Sequence, residues 1–324
     1  MEQKTSPTVS VIIPTYKHRN FVLATLDSVF AQTFTDYEVI VINDGSPDDT
    51  AELLQPLADA GRIRYIGQEN TGQSIARNRG IEEARGEFIA LLDDDDLWPP
   101  DNLEWQVAAM ARHPDVGVVA GTASVIDEAG DFLFRSEAIP EISFERCFIQ
   151  CPFISPGQAL IRTSVIQQVN GLNPEIWGTD DWELWLRIAR VRRVVMEDRT
   201  SLFYRKHAGG ASKNLSRMLD NCFRVVDIHA PNITGQQRRE VIADTYQRLY
   251  ATHGKPIVLQ VKQEIKSGKL LRLLSCLLLL AKFGKMPNGS LIMIVRIVRD
   301  FLPLRWSAHL HRPISSCSTS IQRK

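Results

Sequence analysis

Phe88-Ile-Ala-Leu-Leu-Asp-Asp-Asp-Asp96 joins five apolar residues directly to four carboxylates. The apolar part is short and unbroken, which suits a strand covered on both faces rather than one with a wet face. Similar short runs, rich in branched residues, stand at Val9–Ile13, Glu38–Asn43, Arg62–Ile66 and Val116–Ala120. Helical spacing fills the gaps over Asn20–Phe30, Asp48–Ala58, Ser74–Ala84 and Asp101–Arg112. Such alternation predicts βα units around a largely parallel sheet, hence an α/β fold with helices on both faces.

Local signals refine the register. Ser46-Pro47-Asp48-Asp49 offers a capping hydroxyl, a proline suited to a first helical turn and two acids for its dipole, so a helix is expected to start there. Asp127-Glu-Ala-Gly-Asp131 reads as a hairpin turn. Farther on, Gln158–Arg162 and Ser201–Arg205 are strand-like, and Asp180–Arg190 is helical with Leu184, Trp185 and Ile188 on its apolar side. From Leu215 onward the pattern is helical almost throughout. Lys262, Lys266 and Lys269 share a face opposite Val258, Leu259, Val261 and Ile265, and Arg296, Arg299 and Asp300 share another.

Composition excludes several classes. In 324 residues, 44% hydrophobic and 23% charged, disorder is a poor reading, and five cysteines make no disulfide framework. Cys147 and Cys151 lack the partner pair or histidines of a zinc site, so reduced thiols are expected. Residues 1–8 are polar and the apolar run after them is short, so no signal peptide is expected and a cytoplasmic setting fits. The net charge of +0 hides an asymmetry: Lys255 to Lys324 carries 13 basic residues against Glu264 and Asp300, or +11, leaving −11 on the remainder. The best apolar run of that tail, Leu273–Ala281, is bounded by Arg272 and Lys282 and falls short of the ~20 residues of a spanning helix. Peripheral binding to an anionic membrane is therefore expected of the tail. No aromatic readout motif accompanies its charge, so nucleic acid is not an expected partner.

Four adjacent carboxylates at a buried strand end repel one another, and a divalent cation would relieve the repulsion. A solvated acidic turn is the bland alternative. Open α/β sheets bind ligands outside the carboxyl ends of their strands, where Asp93–Asp96 and the strand-ending Asp44 would both stand. Gln68–Gly72 and then Arg77 and Arg79 follow the third strand, and arginine suits a diphosphate, although a plain surface helix would also carry it. Pro14-Thr-Tyr-Lys17 replaces the glycine-rich turn of dinucleotide enzymes, and no Gly-Lys-Ser/Thr motif occurs. Two strand-end acids with an arginine turn suggest a sugar nucleotide and its metal.

The chain resembles a family 2 glycosyltransferase of the A-type fold. The resemblance is carried by Val9–Tyr16, Ser28-Val-Phe-Ala-Gln-Thr-Phe34, Val41–Ser46, Asn70-Thr-Gly72 with Ala76-Arg-Asn-Arg-Gly80, Leu92–Asp96 and Asp180-Asp-Trp-Glu-Leu-Trp-Leu-Arg187, over about residues 8 to 207. It implies a Rossmann-like mixed central sheet with helices on both faces. The implied organisation is a catalytic domain over 1–214, with a nucleotide-binding half 8–121 and an acceptor half 122–214, then a helical basic extension over 215–324.

Carried over by position, the resemblance implies that Thr15 and Tyr16 line the base pocket and that Asp44 binds base or ribose. Arg77 would reach base or diphosphate. Asp93 and Asp95 match the Asp-x-Asp acids, with Asp94 between them in the donor site. Asp95 would hold Mg²⁺ or Mn²⁺, and His207 would approach the metal or diphosphate. Asp181 matches the catalytic base, Asp180 stands where many relatives have Glu, and Trp182 offers an aromatic setting for a sugar. The implied reaction is inverting transfer from a UDP- or dTDP-type sugar to a saccharide or lipid-linked hydroxyl in polysaccharide or glycolipid assembly. Against it stand a catalytically silent sugar-nucleotide-binding module and a membrane scaffold. Helix-capping acids at Asp180 and Asp181, and a structural His207, are the corresponding bland readings.

Overall fold

The computed structural model describes residues 6–207, 209, 215–267 and 280. The chain forms β1 (Val9–Thr15), α1 (Val22–Phe30), β2 (Tyr37–Asp44), α2 (Thr50–Asp59), β3 (Arg64–Gln68), α3 (Gln73–Glu83), β4 (Phe88–Leu91), α4 (Asn102–Arg112), β5 (Val116–Ile126) and β6 (Phe132–Arg135). It continues as α5 (Phe144–Ile149), β7 (Ala159–Arg162), α6 (Thr163–Gln168), α7 (Asp180–Ala189), β8 (Arg193–Arg205), α8 (Leu215–His229), α9 (Arg238–Leu249) and α10 (Lys255–Ser267).

The eight strands form one mixed sheet in the order β3-β2-β1-β4-β7-β5-β6, with β8 on the other edge of β5. Strands β3, β2, β1 and β4 run parallel to one another, whereas β7 is antiparallel to both β4 and β5. Both faces are covered, which explains why the strands are apolar at odd and even positions alike. Val9, Val11 and Ile13 join Val22, Leu26 and Leu103 in one core, while Ile40 and Ile42 pack with Ala76 in another. The A-type architecture implied by the sequence is the one observed.

Differences from the sequence reading have local causes. Helix α2 starts at Thr50, not at Ser46: Asp48 accepts from the Thr50 amide and hydroxyl, while Ser46 Oγ accepts from the Lys17 N–H. Gly45 adopts φ +70°, and an added Cβ would stand 2.7 Å from the Asn70 nitrogen, so the turn is reserved for glycine. The Asp127 turn forms as expected, its Oδ1 accepting from the Ala129 and Asp131 amides. Strand β8 is far longer than Ser201–Arg205 because it runs beside the whole of β5.

Compact units comprise residues 1–242 and 243–324, so α8 belongs to the first. Its Asn221 Oδ1 accepts from the Trp177 N–H, and the Arg217 guanidinium lies 4.2 Å from the Trp177 ring centre. In α10, Ile257, Val258 and Val261 are buried, but Leu259 is 60% exposed and departs from the apolar face expected for it. The side chains of Lys262, Ile265 and Lys266, together with Lys269, Leu273–Leu279, Ala281 and the Arg296–Asp300 face, lie outside the described residues. No helix of the described residues is long and apolar enough to cross a membrane.

Candidate active site

Parallel pairing brings the carboxyl ends of β1, β2 and β4 to one edge of the sheet, and with them Thr15, Asp44 and Asp93. Thr15 is buried and its Oγ1 has no hydrogen-bond partner, whereas the Tyr16 ring is exposed. Lys17 carries φ 63°, an uncommon backbone for a residue with a side chain, in the loop that presents Tyr16. Asp44 is buried: Oδ1 accepts from Gln68 Nε2 and the Thr71 N–H, and Oδ2 from the Gly72 N–H at 2.8 Å. That carboxylate therefore holds the loop that opens α3, where helix partial charge favours it.

The four aspartates after β4 are sorted by their partners. Asp93 takes the Arg77 guanidinium and the Ser155 hydroxyl. Asp94 Oδ1 lies 2.7 Å from His18 Nδ1, and Asp95 Oδ2 lies 2.8 Å from His207 Nε2. Asp96 turns inward and accepts the Arg205 N–H, so it serves the fold rather than the cleft. Burial and the charges of Asp93 and Asp94 push the Asp95 carboxyl up to about 6, although both histidines oppose the shift. The hydrogen bond to Asp94 raises His18 to about 9. The acid cluster thus draws in two imidazoles.

His18, Asp95 and His207 offer ligand atoms that all lie within 4.8 Å of one another. Ligands on one ion with bonds of about 2.1 Å stand about 3.0–3.4 Å apart, so side-chain rotations that close the widest spacing by more than about 1 Å would complete the site. The buried second oxygen of Asp94 has no hydrogen-bond partner, which leaves an acceptor beside the site for a bound cation to compensate. One carboxylate and two imidazoles fit a divalent cation, and nitrogen donors suit Mn²⁺ better than Mg²⁺. His18 was not among the residues singled out from the sequence. Its signal was a histidine two places past Tyr16 in the loop leaving β1, but only folding brings it to Asp94.

Arg77, 2% exposed, spans the sheet edge to α7. Its Nη1 donates to Asp180 Oδ2 at 2.9 Å, where the Ser74 hydroxyl also donates, and its Nη2 donates to Asp93. Three residues on, Gly80 lets α3 sit against β1, since a Cβ there would meet Ile12 Cγ2 at 2.3 Å. Asp181, in the first turn of α7, accepts from the Trp182 N–H. Burial, then the Asp180 charge, push its carboxyl up to about 7 against the pull of Arg77. Trp182 is 5% exposed and its indole N–H donates to the Cys147 carbonyl, so this ring is turned into the packing of α5. Cys147, Cys151 and Cys222 are free thiols.

The chain belongs to glycosyl transferase family 2, whose profile matches residues 10–169. It is 30% identical over 257 residues to an uncharacterized glycosyltransferase of Rickettsia typhi, covering 77% of this chain and 80% of that one. Identity is 29% to an uncharacterized glycosyltransferase of Rickettsia bellii (67% of this chain) and 28% to an Escherichia coli chondroitin synthase (69%). The chain spans about a third of the length of each of those two, 32% and 33%. Among solved structures, Staphylococcus aureus TarS 1–349 in complex with UDP-GlcNAc superposes with TM-score 0.67 at 18% identity, over 91% of this chain and 89% of that one. The mannosyltransferase PcManGT of Pyrobaculum calidifontis, in complex with GDP-Man and Mn²⁺, superposes with TM-score 0.57 at 18% identity, over 94% and 84%. The chain thus carries a glycosyl transferase family 2 domain on the fold of those solved structures.

Proposed function

We propose a metal-dependent inverting transfer from a nucleotide diphosphate sugar, of UDP or dTDP type, to a saccharide or lipid-linked hydroxyl. The observation that carries this reading is the contrast between two carboxylates: Asp95 faces two imidazoles, while Asp181 is held near neutral pH by burial beside Asp180. A carboxylate among imidazoles suits a cation site, and a buried carboxyl held near neutral pH suits a base.

In this mechanism Asp181 takes the acceptor hydroxyl proton as that oxygen bonds to the anomeric carbon. The bond from that carbon to the diphosphate breaks, and its electron pair leaves with the diphosphate. One displacement inverts the centre. His18, Asp95 and His207 would hold Mn²⁺ or Mg²⁺, which supplies charge neutralisation to the departing diphosphate when bound. Tyr16 offers an exposed ring to the base, and Thr15 a free hydroxyl beside it.

Polysaccharide or glycolipid assembly on the cytoplasmic membrane face is the setting that best suits the +11 tail, and kinship with a chondroitin synthase supports a polysaccharide product. The test is diphosphate release from a panel of nucleotide sugars with Mn²⁺, repeated with Asp181→Asn. Release with a UDP- or dTDP-sugar that Asp181→Asn abolishes supports the reading. Undiminished release by the variant overturns the base assignment.

A further inference from the structure

We propose that Arg77 is a positioning residue rather than a substrate contact: it ties Asp93 to the helix that bears Asp181 and supplies positive charge beside that base. The proposal deepens the glycosyltransferase reading and rests on Asp181 as the base. Its ground is the geometry of a buried guanidinium. Both Nη atoms are committed to carboxylates, Nη1 to Asp180 and Nη2 to Asp93, and the enclosed Nε has no hydrogen-bond partner. With 2% of the residue exposed, little of the guanidinium is open to an incoming diphosphate.

The two acids come from the two halves of the site, Asp93 from the end of β4 and Asp180 from the first turn of α7. A planar fork can join two carboxylates at once, which an ammonium cannot reproduce. Ser74, from the same helix as Arg77, reaches the same Asp180 oxygen and the Ile176 carbonyl, so α3 fixes the start of α7 at two points. Gly80 keeps α3 close enough to β1 for this reach.

Charged groups facing Asp181 are Asp180 on its own helix, Asp93 after β4 and Arg77 from α3. Cys147 on α5, Cys151, Cys222 on α8 and Tyr204 on β8 also feel its charge, but burial pushes their ionisation up, so they are neutral near pH 7. Within this set Arg77 alone stabilises the Asp181 carboxylate. Removing its charge should make the base harder to ionise, by about one pH unit or more for a close cation.

The experiment compares Arg77→Gln and Arg77→Lys with the unaltered full chain, measuring UDP affinity with Mn²⁺ by calorimetry and the pH profile of kcat/KM. Arg77→Gln is expected to move the acid limb up by about one unit and to lower kcat at least tenfold near pH 6.5, with UDP affinity within threefold. Arg77→Lys should restore the limb but only part of kcat. If Arg77→Gln does not fold, Arg77→Lys carries the test: an unmoved limb, lower kcat and unchanged UDP affinity support the role. A tenfold loss of UDP affinity with an unmoved limb in Arg77→Gln, or such a loss in Arg77→Lys, overturns it. Asp181→Asn separates the two readings: if the limb persists in that variant, the base assignment fails, while UDP affinity still decides whether Arg77 touches the donor.

Discussion

His207 Nε2 lies 2.8 Å from Asp95 Oδ2 across a sequence separation of 112 residues. The contact joins the end of β8 to the turn after β4, and it is made possible by the antiparallel bridge between Leu97 and Phe203, which carries the two segments past each other. His18 arrives from the loop after β1 and stacks edge-on to His207 with ring centres 5.4 Å apart.

Metal binding is expected to compete with protons at this cluster. Since His18 holds its proton up to about 9 and Asp95 up to about 6, apparent Mn²⁺ affinity should rise with pH between 6 and 9. Calorimetry in buffers of different ionisation enthalpy should detect proton release. Asp95→Asn and His207→Ala should each lower Mn²⁺ affinity at least tenfold, with His18→Ala costing less. Equal affinity at pH 6 and 9 counts against the cluster.

Asp181→Asn should lose transfer by at least ~10²-fold while keeping UDP affinity. A base must be ionised to act, so kcat/KM of the unaltered enzyme should fall below about pH 7. Stability runs the other way. Its proton is held more tightly folded than unfolded, so ionising Asp181 costs stability as pH rises from about 4 to 7. Asp181→Asn should therefore raise the melting temperature at pH 8 more than at pH 5, and the reverse order refutes the burial argument.

Gly80→Ala is expected to destabilise by roughly 1–3 kcal/mol, because its new methyl overlaps Ile12 in a packed interface. If α3 is displaced as argued, kcat should also fall, since Arg77 and Ser74 ride on that helix. Urea titration alongside kcat measures both. Unchanged stability would show that the helix has room to shift.

The basic tail should bring the full chain down with anionic vesicles at low ionic strength, at about 1 kcal/mol per near-surface Lys or Arg, with release at high salt. Neutral vesicles serve as the control. Equal sedimentation with both, or none with either, removes the electrostatic argument for a membrane-facing acceptor.

The α/β alternation was legible in the linear chain because buried parallel strands must be apolar on both faces, and the Val11–Ile13, Val39–Ile42 and Phe88–Leu92 stretches are. Asp93–Asp96 advertised the site for a similarly local reason: like charges at a strand end need a partner. The start of α2 was misread, since Ser46 met Lys17 and the helix began only at Thr50, whose amide and hydroxyl donate to Asp48. Within the Asp run the family resemblance singled out Asp93 and Asp95, but the partner each aspartate meets was hidden. Four identical residues in a row differ only in what they face, so Asp96 became a fold contact, Asp94 met His18 and Asp95 met His207 only once β8 and the β1 loop had closed on them. Arg77 shows the same division: local sequence puts it on a helix, but that its guanidinium is buried between two acids 103 and 16 residues away is decided by α3 packing against β1 and by α7 approaching it, long-range contacts that no nearby residue specifies.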